Sequence, residues 1–271
     1  MNKIPRIITL VGIGLMCLAI VLSGFNFSKI IDPYRDTMFG ERKEVVLSAD
    51  GIEELIIDIA NGNVNIISTK NDRITITYFD SNFSKHELDA EGPSINLTQK
   101  QRNVLFNFDF GFMNKVTVEI PEDLILELNI RNVNGKIDVS NLTVNESSFN
   151  TTNGPITLAN IHTEDNLTLR TTNGRINMNN VHAALITANT TNGGITADSI
   201  SAYNINLTST NGRITGSIIG DIDDFQKEMR TTNGSIRING TNHGNRLIDS
   251  SRRDQKIVIR TTNGNIEFDI R

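Results

Sequence analysis

The residues best suited to chemistry in this 271-residue chain are two histidines twenty positions apart, His162 and His182. Imidazole is the commonest metal ligand and titrates near neutral pH. The two fall at equivalent places in neighbouring copies of a repeat, close enough to share an ion. A zinc site normally uses three or four ligands, so the expectation is a pair of solvated loop histidines and no metal. Asp221, Asp223 and Asp224 offer oxygen ligands of the kind calcium takes, but they read as a solvated acidic loop. Polysaccharide lyases and hydrolases need clustered carboxylates on one exposed face, often with Arg or a metal. The outward position three residues after each repeat glycine holds Asp138, Thr157, Asn177, Thr196, Thr215, Arg237 and Glu267, which is no acidic cluster. No catalytic residue and no cofactor are therefore expected. Arg246, Arg252, Arg253 and Lys256 gather around an insertion in the last repeat. They read first as a solvated loop and second as a contact for anionic wall polymer or lipid head groups.

The element that must position all of these is a recurring corner. It appears as Thr151-Thr152-Asn153-Gly154, Thr171-Thr172-Asn173-Gly174, Thr190-Thr191-Asn192-Gly193, Ser209-Thr210-Asn211-Gly212, Thr231-Thr232-Asn233-Gly234 and Thr261-Thr262-Asn263-Gly264, with a looser copy at Asn132-Val133-Asn134-Gly135. Successive corner glycines from Gly135 are 19, 20, 19, 19, 22 and 30 residues apart, and a period near twenty implies stacked turns. Apolar residues alternate in each arm, as strands require. Before the corner stand Leu128 and Ile130, Leu167 and Leu169, Ile186 and Ala188, Ile205 and Leu207, Ile257 and Ile259. Two residues after the glycine stand Ile137, Ile156, Ile176, Ile195, Ile214, Ile236 and Ile266. A further column, seven after the glycine, holds Leu142, Ile161, Val181, Ile200 and Ile219.

These columns predict an all-β solenoid, resembling a parallel β-helix, whose equivalent residues stack about 4.8 Å apart around a β-branched interior. The Asn-Gly pair is expected to make the bend through left-handed dihedrals. The first Thr of each corner should face inward and the second outward. An antiparallel meander of Asn-Gly hairpins is the structural rival, yet it would not require one isoleucine at the same offset in every unit. The single outward column Thr152, Thr172, Thr191, Thr210, Thr232 and Thr262 lacks the paired threonines of an ice-binding array. Corner Thr and Asn side chains are instead expected to hydrogen-bond along the stack.

The gross numbers agree with a β-rich exported body. Aromatic residues make up 6% with no Trp, and the net charge of -5 gives no basic face for nucleic acid. The one cysteine, Cys17, lies in an uncharged stretch from Ile7 to Phe27, long enough to span a bilayer as a helix. Lys3 and Arg6 precede it and bias the N-terminus to the cytoplasmic side, against the weaker pull of Lys29, Arg35, Arg42 and Lys43, so the following chain is expected outside. A cleaved signal peptide fits less well, because Val21-Leu22-Ser23-Gly24-Phe25 is a poor cleavage site. The chain thus divides into an anchor (1–27), a juxtamembrane tether (28–44), an irregular capping part (45–130) and a regular solenoid (131–271). A first rung is expected from Leu55, Ile57 and Ile59 through Asn61-Gly62 to Val64 and Ile66. Strands are also expected at Ile74–Tyr78, Val104–Phe108 and Lys115–Ile120. The final rung ends at Arg271 with no evident cap, so it is expected to be an open edge that meets a partner or another copy of the chain.

The N-terminal apolar segment, the Val116-Thr117-Val118-Glu119-Ile120-Pro121 lead-in and the Asn-Gly-x-Ile rungs from Asn134 to Ile266 together resemble a bacterial family, the putative adhesin domain of unknown function, which includes LiaG-type membrane-anchored proteins. The resemblance covers most of the chain after Glu44 and implies a non-enzymatic envelope β-solenoid associated with adhesion and with envelope stress response. It supplies no catalytic residues. The expected function is a single-pass, extracytoplasmic binding module for another envelope protein or a wall polymer; the alternative is a carbohydrate-active enzyme on a β-helix scaffold.

Overall fold

Short β-branched arms punctuated by Asn and Gly can satisfy their backbone only in a ladder, and a ladder is what forms. The computed structural model describes residues 40–81, 84–101, 115–249 and 251–271; the packing set out here lies in the unit Arg42–Arg271. Its strands are β1 (Glu41–Ser48), β2 (Glu54–Asn61), β3 (Asn63–Thr69), β4 (Arg73–Asp80), β5 (Ser84–Asp89), β6 (Ser94–Gln101), β7 (Lys115–Pro121), β8 (Glu127–Asn134), β9 (Ile137–Thr143), β10 (Ser147–Thr151) and β11 (Ile156–His162). They continue as β12 (Asn166–Thr171), β13 (Ile176–Thr190), β14 (Ile195–Ser209), β15 (Ile214–Ile218), β16 (Phe225–Thr231), β17 (Ile236–Ile238), β18 (Thr241–Asn242), β19 (Arg246–Ile248), β20 (Gln255–Thr261) and β21 (Ile266–Ile270). Among the described residues no helix is long and apolar enough to cross a membrane. The expected anchor at 7–27 and the expected strand at Val104–Phe108 lie outside the described residues. Residues 41–44, assigned to the tether from sequence, belong to β1.

Neighbouring copies of the motif run in the same direction, which excludes the meander. On one wall β6, β2, β8, β10, β12, the second half of β13, the second half of β14, β20 and β16 pair in parallel. On the other, β7, β3, β9, β11, the first halves of β13 and β14, β15, β21 and β17 do the same. The isoleucine column is continuous: Val64, Ile137, Ile156, Ile176, Ile195, Ile214, Ile266 and Ile236 succeed one another in register and are essentially inaccessible to water. Full burial of each such side chain contributes roughly 1.5–3 kcal/mol. The column seven after the glycine holds through Ile200 and then fails at Ile219, which is 52% exposed. The register shifts after Ala197, so Ile218 stacks on Ile200 in its place.

The final rung corrects a larger expectation. It is not the end of the stack: β20 lies between β14 and β16, and β21 between β15 and β17. The rung made earlier in the chain, β16 and β17, is the outer one. Its edges are closed by the insertion that the sequence presents as a solvated loop, with β19 antiparallel to β16 and β18 antiparallel to β17. Asn239 ties the C-terminal strand down by accepting from the Ile270 amide at 2.8 Å and donating to the Ile270 carbonyl at 3.1 Å. The opposite end follows the same plan. β6 and β7 stack outside β2 and β3, which are therefore not the first rung in space, and antiparallel β5 and β4 cover them. Both ends of the parallel ladder are thus met by reversed strands, which blunts edge-to-edge pairing.

The outer rung carries a second capping device. Lys227 occupies the core column, stacked on Ile257. Its Nζ donates to the carbonyls of Ile222 at 2.7 Å and Phe225 at 2.9 Å and pairs with Asp249 at 3.3 Å. Hydrogen bonds from Ser251, and then Lys227, hold the Asp249 carboxyl down to about 2. A carboxyl whose folded pKa lies below its unfolded value of about 3.9 stabilises fully above that value and loses its contribution as pH falls toward the folded one. Acid unfolding followed between pH 5 and 2 should accordingly be shallower in Asp249→Asn than in the parent chain; identical acid limbs would exclude this role.

Candidate binding groove along the corner threonines

Each corner assigns different work to its residues. The first hydroxyl turns inward and donates to the corner glycine carbonyl of the neighbouring rung: Thr151 to Gly135, Thr171 to Gly154, Thr190 to Gly174, Ser209 to Gly193, Thr261 to Gly212 and Thr231 to Gly264, at 2.7–3.1 Å. Asn132 does the same through its amide in the looser copy. The corner asparagines form a ladder in which each Nδ2 donates to the Oδ1 of the one before it, from Asn134 on Asn61 through Asn153, Asn173, Asn192 and Asn211 to Asn263 and finally Asn233, at 2.6–2.9 Å. Its order follows the stack and not the chain.

The glycines are required for a reason other than the expected one. Among the described corners only Gly62 has a positive φ, and no corner asparagine does. A Cβ on Gly135, Gly154, Gly174, Gly193, Gly212, Gly234 or Gly264 would lie 1.7–2.3 Å from a carbonyl oxygen of the adjacent corner glycine. Close approach of backbones, not left-handed conformation, selects glycine here. Left-handed residues stand elsewhere, at a second bend that the sequence reading did not find: Asn141, Asn160, Asn180, Ser199 and Asn239 have φ of 47–58°. Asn160 donates to Asn141 and Asn180 to Asn160 there, making a second, shorter ladder. The recurrence of Asn six residues after Gly135, Gly154 and Gly174 was its signal.

The second threonine of each corner takes no part in these bonds. Thr152, Thr172, Thr191, Thr210, Thr262 and Thr232 are exposed and line, with the residue before each first Thr, two abutting clefts of about 520 and 470 Å³ that share Thr208 and Thr210. In register along the floor run Arg131, Asn150, Arg170, Asn189, Thr208, Arg260 and Arg230. No carboxylate lines either cleft. Arg131 and Arg170 have no ion-pair partner among the described residues, and Arg260, Arg230 and Lys256 share Glu228, at 2.8, 3.5 and 3.8 Å. Hydrogen bonding to Arg260 lowers the Glu228 carboxyl below its ordinary range.

Of the four residues proposed from sequence, Arg246 joins this groove beside Arg230, and Lys256 approaches it through Glu228. Arg252 and Arg253 do not line it. Asp221, Asp223 and Asp224 form a small 3-10 turn in which Asp221 caps the Asp223 amide. Asp138 pairs with Lys136 and Glu267 with Arg237. The groove arginines were missed although Arg-Thr-Thr-Asn-Gly occurs at Arg170, Arg230 and Arg260.

A family model described as Toastrack DUF4097 matches residues 52–239 and 139–269, nearly the whole described ladder. The chain belongs to the Toastrack DUF4097 family. The resemblance read from its corners and lead-in holds at this level. Several solved structures are similar to this Toastrack chain. A putative cell adhesion protein from Clostridium sporogenes is 12% identical, covering 86% of this chain and 100% of that one, with a TM-score of 0.37. A putative adhesin from Bacteroides fragilis is 14% identical over 84% and 97%, with a TM-score of 0.41. A putative lipid binding protein from Parabacteroides distasonis is 12% identical over 83% and 96%, with a TM-score of 0.35. No curated protein matches the Toastrack chain.

Proposed function

We propose that this Toastrack protein is a non-enzymatic, adhesin-like binding module of the bacterial envelope that takes a linear, anionic polymer along the corner groove. The observation that carries the reading is the unbroken run of free threonine hydroxyls beside Arg131, Arg170, Arg260 and Arg230, on a chain whose net charge is -5. Guanidinium groups suit phosphate and carboxylate, and rungs spaced by roughly 4.8 Å set them along one line facing an extended ligand, with Arg131 and Arg170 two rungs apart and Arg260 and Arg230 on adjacent rungs. The uncharged stretch 7–27 would anchor the module as a single-pass protein with the ladder outside the cytoplasm, in keeping with a role in envelope stress response.

The test uses the full chain purified from the membrane fraction, where an anchored protein resists alkaline carbonate extraction. Retention on an immobilised poly(glycerol phosphate) wall polymer is compared for the parent and for Arg170→Glu/Arg260→Glu. Reversal should weaken retention at least tenfold and remove most of its salt dependence. Arg252→Glu/Arg253→Glu, outside the groove, should leave it unchanged. Equal retention by the groove variant would reject the reading. New reducing or unsaturated ends after incubation with wall polysaccharide would favour the enzyme alternative.

A further inference from the structure

Away from the groove, the ladder builds a cluster that the repeat alone would not have revealed. His162 at the end of β11 stands in register with His182 in β13. The imidazoles stack with centroids 4.7 Å apart and planes 8° from parallel; ring nitrogens bind metals in the plane of the ring, so a shared ion requires the two rings to rotate out of this stack. Glu164, two residues beyond His162, projects on the same outward side and brings its Oε1 to 3.1 Å from His162 Nε2. All three ligand atoms lie within 4.8 Å of one another, the only such group among the described residues. The missing third ligand was the ground for expecting no metal from sequence; the structure provides it.

We propose that His162, Glu164 and His182 bind one divalent transition-metal ion, zinc being the type case. Two imidazole nitrogens and one carboxylate suit a borderline cation, whereas calcium and magnesium take oxygen ligands. Zinc-nitrogen bonds of about 2.0–2.1 Å place two ligand atoms roughly 3.3 Å apart across a tetrahedron. Closing from the observed spread requires the rings to turn out of their stack and Glu164 to exchange its bond to His162 Nε2 for the ion; His162 is 50% and Glu164 82% exposed, while His182 is half-buried. The backbone register already holds the histidines one rung apart, so ordering that part of the site costs nothing on binding. Three protein ligands leave a fourth position open to water or to a donor from a partner. An exposed site of this kind should hold zinc at micromolar strength, not with the tenacity of a structural zinc.

The full chain, stripped with EDTA in detergent, is titrated with zinc against a chromophoric chelator. One ion per chain is expected, with at least tenfold weaker uptake in His162→Ala and in His182→Ala and a several-fold loss in Glu164→Gln. Glu146→Gln, an exposed acid outside the cluster, should bind like the parent. Thermal unfolding without metal should be the same in all of these, because the substituted side chains lie outside the core. Zinc uptake unchanged in either histidine variant, or absent from the parent, would overturn the assignment.

Discussion

Gly174→Ala should destabilise the ladder by more than about 3 kcal/mol, beyond the usual cost of overpacking. The added Cβ would sit 1.7 Å from the Gly154 oxygen, 2.4 Å from its carbonyl carbon and 2.7 Å from Thr171 Oγ1. The first two are backbone atoms of the next rung. They cannot move away alone, because Thr171 donates to that same oxygen at 2.9 Å and Asn173 to Asn153 at 2.7 Å. Relief therefore means parting two rungs along their whole length. Gly240→Ala is the informative comparison. Gly240 has a φ of 77° and nothing within 4 Å of its Cβ position, so alanine there meets only the left-handed penalty of about 1–2 kcal/mol. Denaturant midpoints at constant m-value compare the two. If both substitutions cost the same, crowding is not what reserves the corners for glycine.

Ile259→Ala should cost roughly 2–5 kcal/mol, the range for deleting a fully buried side chain. Ile259 is inaccessible to solvent and lies in register between Leu207 and Met229. Were the last rung in sequence also the last in space, the same substitution would touch a fraying edge and cost little. Hydrogen exchange gives an independent reading. Amides of β20 should exchange only through global unfolding, more slowly than those of β16, whose outer neighbour is the three-residue β19. Fast exchange throughout β20, with a loss under about 1 kcal/mol for Ile259→Ala, would reject the interleaved arrangement.

The parallel direction, the isoleucine column and the inward first threonine were all legible, because burial imposes a period on residue type and a period survives in a single sequence. What was not legible shares a cause. The corners at Gly212, Gly234 and Gly264 are nearly interchangeable, so local pattern cannot say which of them is adjacent to which. That order is set by pairing between rungs, and β18 and β19, which look like part of an insertion, act as the closing edge. The role of glycine was misjudged because Asn-Gly has two physical explanations, a turn or a close approach, and only the distance to the next rung separates them. Ile219 was misplaced because a one-residue shift after Ala197 is invisible in hydropathy. Glu164 was not weighed as a third candidate ligand because its position beside His182 depends on pairing between rungs, although its spacing from His162 was in plain view.

The interleaved terminus sets an order of events during synthesis. Ribosomes deliver a chain N-terminus first, at about 5–20 residues per second, so β16 and β17 emerge before the β20 and β21 on which they rest. Until β20 and β21 are free, the outer pair has no finished surface to lie on and must stay undocked or lift off again to admit the wedge. A nascent chain stalled short of residue 255, or a message truncated there, would yield an unclosed product with Ile205 and Leu207 at an unpaired edge, a target for proteolysis and for stray strands. Closure of the ladder therefore waits, in this molecule, for its latest-made strands, β20 and β21.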